Sequence, residues 1–139
     1  MATVELLLSP LPAHVRTARL VGVATARRAG LSDELVDELR LAVGEACARA
    51  VALNAKHAPD TPVKIVLRDD PTGLTVTVTD AGPESGPMEG DVEELFSEEH
   101  VDPRVSLAVL AGLVDELEIE SSPAGTTVTL RWPLTARAA

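Results

Sequence analysis

Apolar and polar residues alternate along several short stretches of the chain, which is the two-residue period of a half-buried β-strand. Two such stretches, VKIVLR and LTVTVTD, are joined by the turn-forming letters DDPTG and predict an antiparallel hairpin. A second hairpin is predicted at residues 117–122 and 126–132, around the turn SPAG. The short apolar stretch at residues 3–9 predicts one further strand.

Elsewhere the apolar positions recur every three or four residues, which is the period of an amphipathic helix. Residues 12–30 predict a first helix that stops at Gly30. A second helix is predicted from Ser32, a residue type that caps helix amino termini, to about His57. The residues predicted to be buried are Val15, Leu20, Val23 and Ala26 in the first helix, and Leu35, Leu39, Ala42, Val43, Ala46, Ala50 and Leu53 in the second.

A third helix is predicted to begin with Asp102 as its cap and Pro103 in its first turn. Its predicted buried stripe comprises Val109, Leu110, Leu113, Val114 and Leu117. The order of the elements predicts an α+β fold, a two-layer sandwich in which a mixed or antiparallel sheet carries helices on one face. We expect residues 1–139 to form a single domain, with an acidic mobile loop at 81–102 and a frayed tail at 134–139.

Composition narrows the classes of function. The formal net charge is −10, and Phe96 and Trp132 are the only aromatic residues, so nucleic-acid binding through a basic face or stacked rings is not expected. Cys47 is the only cysteine and the 3 histidines lie far apart, so no metal site is expected. The chain shows neither a signal-peptide pattern nor a membrane-length apolar run, which favours a cytoplasmic protein without membrane contact.

Four segments of the chain carry recognisable motifs: LRLAVGEACARAV, VTVTDAGP, SLAVLAGLVDELEIESSPAGTTVTLRWPL and HVRTARLV. Together they resemble the small bacterial branch of the GHKL ATPase family, the RsbW-like anti-sigma factors and serine kinases. LRLAVGEACARAV resembles the N-box of that family, and VTVTDAGP resembles its first glycine box. SLAVLAGLVDELEIESSPAGTTVTLRWPL resembles its closing segment, and HVRTARLV also matches. The likeness extends over residues 12–133 and is closest in character to members paired with a BldG-type antagonist. It implies a Bergerat-type ATPase fold.

The resemblance also implies a nucleotide site. In the family an N-box glutamate acts as a base, an asparagine four residues later holds Mg²⁺, and a glycine-box aspartate binds the amine of adenine. Glu45, Arg49 and Asp80 stand at these three positions. Gly82 stands at the first glycine of the first glycine box, Arg104 at the start of the second box, and Thr126 at a threonine that supports the adenine site. Arg49 stands where the family has its asparagine, and a guanidinium group offers only hydrogen-bond donors, so it cannot ligate a metal.

The glycines that let backbone approach a phosphate are largely replaced. Glu84 stands at the second glycine of the first box, and Arg104 and Ser106 stand at the glycines of the second. The predicted acidic loop adds carboxylates that would repel a triphosphate. We therefore expect a degenerate nucleotide site without a cofactor, and ATP with Mg²⁺ is the alternative that the family implies.

Plainer interpretations stand beside these. Glu45 and Arg49 have the i, i+4 spacing of an ordinary helical ion pair, or Arg49 could meet a phosphate in place of the metal. Asp80 could be a retained site residue or simply end a strand. Arg16 and Arg19 are either solvated or, as the resemblance implies, contact a protein partner.

Two main functions follow from the resemblance. The first is an anti-sigma factor that binds a sigma factor and is released by a STAS-type antagonist through partner switching. The alternative is an ATP-dependent protein serine kinase that phosphorylates this antagonist, with Glu45 as the base and Asp80 as the adenine anchor. A third is a relic of the ATPase fold that serves only as a scaffold or homodimerisation module.

Overall fold

The computed structural model describes residues 2–82 and 103–133 of the chain. In chain order its elements are β1 Ala2–Leu8, α1 His14–Arg28, α2 Asp33–His57, β2 Val63–Asp70, β3 Gly73–Asp80, α3 Pro103–Leu113, β4 Glu116–Ser122 and β5 Gly125–Pro133. Most of the predicted acidic loop, from residue 83 to Asp102, and the predicted tail at 134–139 lie outside the described residues.

The five strands form one sheet in the order β1-β2-β3-β5-β4, and each neighbouring pair runs antiparallel. Both predicted hairpins are confirmed, with bounds that differ by one or two residues. Along β3 and β5 every second side chain is buried, because strand residues point alternately to the two faces of the sheet. The α+β sandwich predicted from the order of elements is therefore confirmed, with an entirely antiparallel sheet.

Helix α2 is the centre of the helical layer. It begins as predicted at Ser32, whose hydroxyl accepts a hydrogen bond from the backbone N–H of Leu35 at 3.4 Å. It packs against both α1 and α3, and it contacts β2 and β3 of the sheet. Its buried side is wide enough to serve these neighbours and comprises Val36, Leu39, Ala42, Val43, Gly44, Ala46, Cys47, Arg49, Ala50, Val51, Leu53 and Asn54.

Two predicted core positions were wrong. Leu20 is 61% exposed, and Val109 is 41% exposed. The buried face of α1 runs through Val15, Ala18 and Gly22, and Leu20 lies about 140° around the helix from Val15 because each residue advances about 100°. No helix in residues 2–82 and 103–133 has both the length and the apolar character required to cross a lipid bilayer.

Candidate functional site

A buried ion pair joins the middle of α2 to the end of β3. The Nη1 atom of Arg49 donates a hydrogen bond to Oδ2 of Asp80 at 2.9 Å, and both side chains are 1% exposed. A charge buried so completely needs a partner, because transfer from water to the protein interior strongly disfavours an isolated ion. Each residue therefore supplies the counter-ion that allows the other to be buried.

The helical repeat of α2 and the two-residue repeat of β3 direct these two side chains into the core. Arg49 lies within the buried side of α2, next to Ala46 and Ala50, so its side chain is directed inward. Asp80 is the last residue of β3 and follows Val76 and Val78 on the face that carries the core. An arginine is long enough to span the distance from helix to sheet, and its charged end meets the carboxylate there.

The second carboxylate oxygen of Asp80 is also engaged. Its Oδ1 atom accepts a hydrogen bond from the backbone N–H of Gly82 at 2.9 Å. A Cβ added to Gly82 would lie 2.9 Å from Cβ of Leu53, so the backbone here approaches α2 more closely than a larger residue allows. Asp80 thus binds one donor from the helix and one from the turn that follows its own strand.

The guanidinium group of Arg49 is only partly satisfied. Its Nε and Nη2 atoms are buried and have no hydrogen-bond partner among residues 2–82 and 103–133. These two nitrogens form the edge of the guanidinium that normally grips an oxyanion with two parallel hydrogen bonds. Buried donors without acceptors are destabilising, so the pair is not arranged for maximal stability.

The predicted helical ion pair between Glu45 and Arg49 was wrong. Arg49 instead pairs with Asp80, which is 31 residues away in the sequence. Glu45 is half-buried, and within residues 2–82 and 103–133 it forms no ion pair. The helical spacing brings the two side chains near each other, but the inward direction of Arg49 selects the partner on the sheet.

The structure brings four of the predicted site residues together and leaves one undescribed. Thr126 lies directly opposite Asp80 in the β3–β5 register and is 1% exposed. Its hydroxyl is 3.2 Å from the hydroxyl of Ser121 on β4. Arg49, Asp80, Gly82 and Thr126 are thus neighbours. Arg104 belongs to α3, but its side chain lies outside the described residues.

Asn54 is a residue of this site that sequence reasoning missed. It is fully buried near the end of α2, where its amide nitrogen donates to the carbonyl of Thr61 at 3.0 Å. Its amide oxygen accepts from the backbone N–H of Ala81 at 2.8 Å, one residue beyond Asp80. Asn54 therefore ties the turn after β3 to the helix. A polar amide among the mostly apolar residues on the buried side of α2 was the available signal.

The other singled-out residues lie away from the ion pair. Arg16 on α1 is exposed, and Arg19 lies across Gly44 of α2, where the missing side chain leaves room for it. Cys47 is buried as predicted, and burial raises the pKa of its thiol to about 12, opposed in small part by the nearby Arg19. The thiol is therefore protonated near neutral pH and is a poor nucleophile.

Arg49 and Asp80 already bind each other at the position where the family resemblance implies a magnesium nucleotide. Each carboxylate oxygen of Asp80 accepts one hydrogen bond, from Arg49 or from the Gly82 amide, and the side chain is 1% exposed. Arg49 itself offers only donors and cannot hold a cation. Within the described parts of the chain, no group of three or more histidine, cysteine, aspartate or glutamate residues could hold a metal ion.

Comparison with known proteins gives two informative matches. The family model described as "Histidine kinase-like ATPase domain" matches residues 8–132. The fold is similar to a solved structure of the RsbU and RsbW domains of Rv1364c from Mycobacterium tuberculosis, with a TM-score of 0.69 and 19% identity. That match covers 100% of this chain and 35% of the solved one. A comparison with curated proteins gives no match. The fold predicted from the motifs is confirmed.

Proposed function

The chain belongs to the family of histidine kinase-like ATPase domains, and from that premise we propose that it is an anti-sigma factor that acts by binding rather than by phosphoryl transfer. It would sequester a sigma factor and be released by a STAS-type antagonist through partner switching. The fold it shares with a structure that contains an RsbW domain supports this direction. The observation that carries the proposal is the buried pair of Arg49 and Asp80, which joins the two positions that the resemblance assigns to magnesium and adenine contacts.

The same pair argues against the kinase alternative. A kinase of this family would need Asp80 free to bind adenine and an oxygen ligand for Mg²⁺ at position 49. Arg49 instead hydrogen-bonds to the carboxylate of Asp80. Its guanidinium group has no oxygen with which to bind Mg²⁺. Glu45 could still act as a base, but Arg49 and Asp80, the described residues at the family's magnesium and adenine positions, are bound to each other. Binding of protein partners is the activity that these residues leave available.

Helix α1 supplies a surface suited to such binding. It carries Arg16, Arg19, Arg27 and Arg28, and no aspartate or glutamate occurs between Glu5 and Asp33. The chain as a whole has a net charge of −10, so this helix is a basic region on an acidic protein. Leu20, on the same helix, is 61% exposed. A basic surface with an exposed leucine suits a partner that presents acidic and apolar side chains.

Titration calorimetry with ATP and Mg²⁺ tests the absence of nucleotide binding. We expect no binding tighter than about 100 μM, which corresponds to less than about 5.5 kcal/mol of binding free energy. Tighter binding that is lost in both Glu45→Ala and Asp80→Asn variants would contradict the proposal and favour the kinase. Requiring both losses separates binding at this site from binding elsewhere on the surface.

Capture of partners from the native cytoplasm, read by mass spectrometry with and without ATP, tests the partner class. We expect a sigma factor or a STAS protein in both conditions. Recovery of the chain with neither of these, and only as a homodimer, would favour the scaffold alternative.

Substitution of Arg16 tests the surface assigned to α1. We expect Arg16→Glu to weaken binding of the captured partner at least tenfold, because it replaces an attractive charge with a repulsive one. The matched control is Arg68→Glu, which makes the same change at an exposed position on β2. Equal weakening by the two variants would contradict a specific role for α1 and indicate only a general effect of charge.

A further inference from the structure

The buried guanidinium of Arg49 donates a hydrogen bond to Asp80, the residue that the family resemblance assigns to the ligand. We propose that Arg49 is a built-in substitute for that ligand: it completes the buried site from within the chain and makes the folded state independent of nucleotide. This inference rests on the proposed loss of nucleotide binding and explains how the chain tolerates it. It further implies that the removal of one side chain restores a site that responds to a ligand.

The first support is the charge of Asp80. Its side chain is 1% exposed, so its carboxylate depends on donors from the protein or from a bound molecule. Gly82 supplies one donor and Arg49 supplies the other. Without Arg49, one carboxylate oxygen would be buried with no donor within the described residues, and the site would be incomplete until a donor arrived.

The second support is the poor fit of the guanidinium group. Arg49 satisfies one carboxylate oxygen, but its Nε and Nη2 atoms are buried without acceptors in the part of the chain that the structure describes. A pair shaped only for stability would direct this two-donor edge at the carboxylate, because that geometry gives two parallel hydrogen bonds. In the observed geometry only Nη1 binds the carboxylate, so the stronger two-donor interaction is not formed.

The third support is that the rest of the site remains. Gly82 keeps the close approach of backbone to Leu53, and its N–H still reaches Asp80. Thr126 keeps its position opposite Asp80. A planar heterocycle with an exocyclic amine is the class of ligand that suits these groups, since its amine can donate to the freed carboxylate oxygen. Because such a base needs no phosphate contacts, the loss of the phosphate-binding glycines does not affect this test.

Thermal unfolding of an Arg49→Asn variant with adenosine tests the inference. We expect the variant to melt about 10 °C or more below the unaltered protein, because Asp80 loses its counter-ion. Saturating adenosine should then raise its midpoint by at least about 3 °C. The unaltered protein should show no shift with adenosine. Guanosine, which lacks an amine at the equivalent ring position, should raise neither midpoint.

The matched control is the double variant Arg49→Asn with Asp80→Asn. It keeps the same space but removes the carboxylate, so adenosine should not stabilise it. An Arg49→Asn variant that folds and gives no adenosine shift, or a double variant that gives an equal shift, would overturn the inference. If the single variant does not fold by itself, refolding with adenosine supports the inference, and failure to refold with it while the double variant folds overturns it.

These outcomes separate the inference from the proposed function. Tight ATP binding by the unaltered protein would contradict the loss of nucleotide binding. An unaltered protein that ignores ATP, together with an Arg49→Asn variant that ignores adenosine, would contradict only the role assigned here to Arg49.

Discussion

Replacing Arg49 with methionine should lower the free energy of unfolding by about 3–5 kcal/mol, because the change leaves the buried carboxylate of Asp80 without its counter-ion. Methionine keeps much of the length and apolar contact of the arginine stem, so little of the loss should come from packing. Equilibrium unfolding in urea measures the effect. The dependence of the unfolding free energy on urea concentration should be the same for the variant and the unaltered protein.

Two controls separate the buried charge from other causes. Arg49→Met combined with Asp80→Asn should regain most of the loss, because the second change removes the unpaired charge and keeps an oxygen that can accept from Gly82. Arg40→Met breaks the exposed pair of Arg40 and Asp37 and should change stability by less than about 1 kcal/mol. If Arg49→Met proves as mild as Arg40→Met, Asp80 does not depend on Arg49.

Replacing Gly125 with alanine should destabilise the protein by about 3 kcal/mol or more. Gly125 has a φ of +150°, a conformation that side chains disfavour, and it lies where β3 and β5 approach each other. An added Cβ would collide with the backbone carbonyl oxygen of Asp80 and lie 3.0 Å from its carbonyl carbon. Backbone cannot move aside cheaply, so the strain and the overpacking add. Thermal and urea unfolding both report the loss.

Gly112 provides the matched control. It lies within α3, and a Cβ added there would meet nothing within 4 Å. Gly112→Ala should therefore stabilise the protein by up to about 1 kcal/mol, because alanine favours a helix more than glycine does. A Gly125→Ala variant as stable as Gly112→Ala would show that the strands separate easily at Asp80, and that the ion pair is held less rigidly than its burial indicates.

Much of the fold could be predicted because it depends on local patterns. The alternation of β2 and β3 places Val76 and Val78 on one face, and the capping hydroxyl of Ser32 marks where α2 begins. Leu20 shows the limit of this approach. An apolar residue near a helical stripe is readily predicted to be a core residue. The face of α1 that contacts α2 instead passes through Gly22, which is small enough to let the two helices approach.

The residues of the site could also be predicted only in part. The motifs alone led to Asp80, Gly82 and Thr126, which the fold brings together. They also suggested a pair between Glu45 and Arg49, because residues four apart on a helix are neighbours. The choice of Asp80 as the partner of Arg49 depends on which way the side chain points and on what the sheet places there. Asn54 was missed for the same reason, since both of its backbone partners lie outside its helix.

By itself, the sequence determined the elements, their order, the family and the set of residues from which a site could be built, because periodicity and motif are properties of neighbouring letters. Only the tertiary structure decided which of those residues meet. The pairing of Arg49 with Asp80 needs a helix and a strand end to be buried against each other, and burial is what turns two ordinary charges into a mutual requirement.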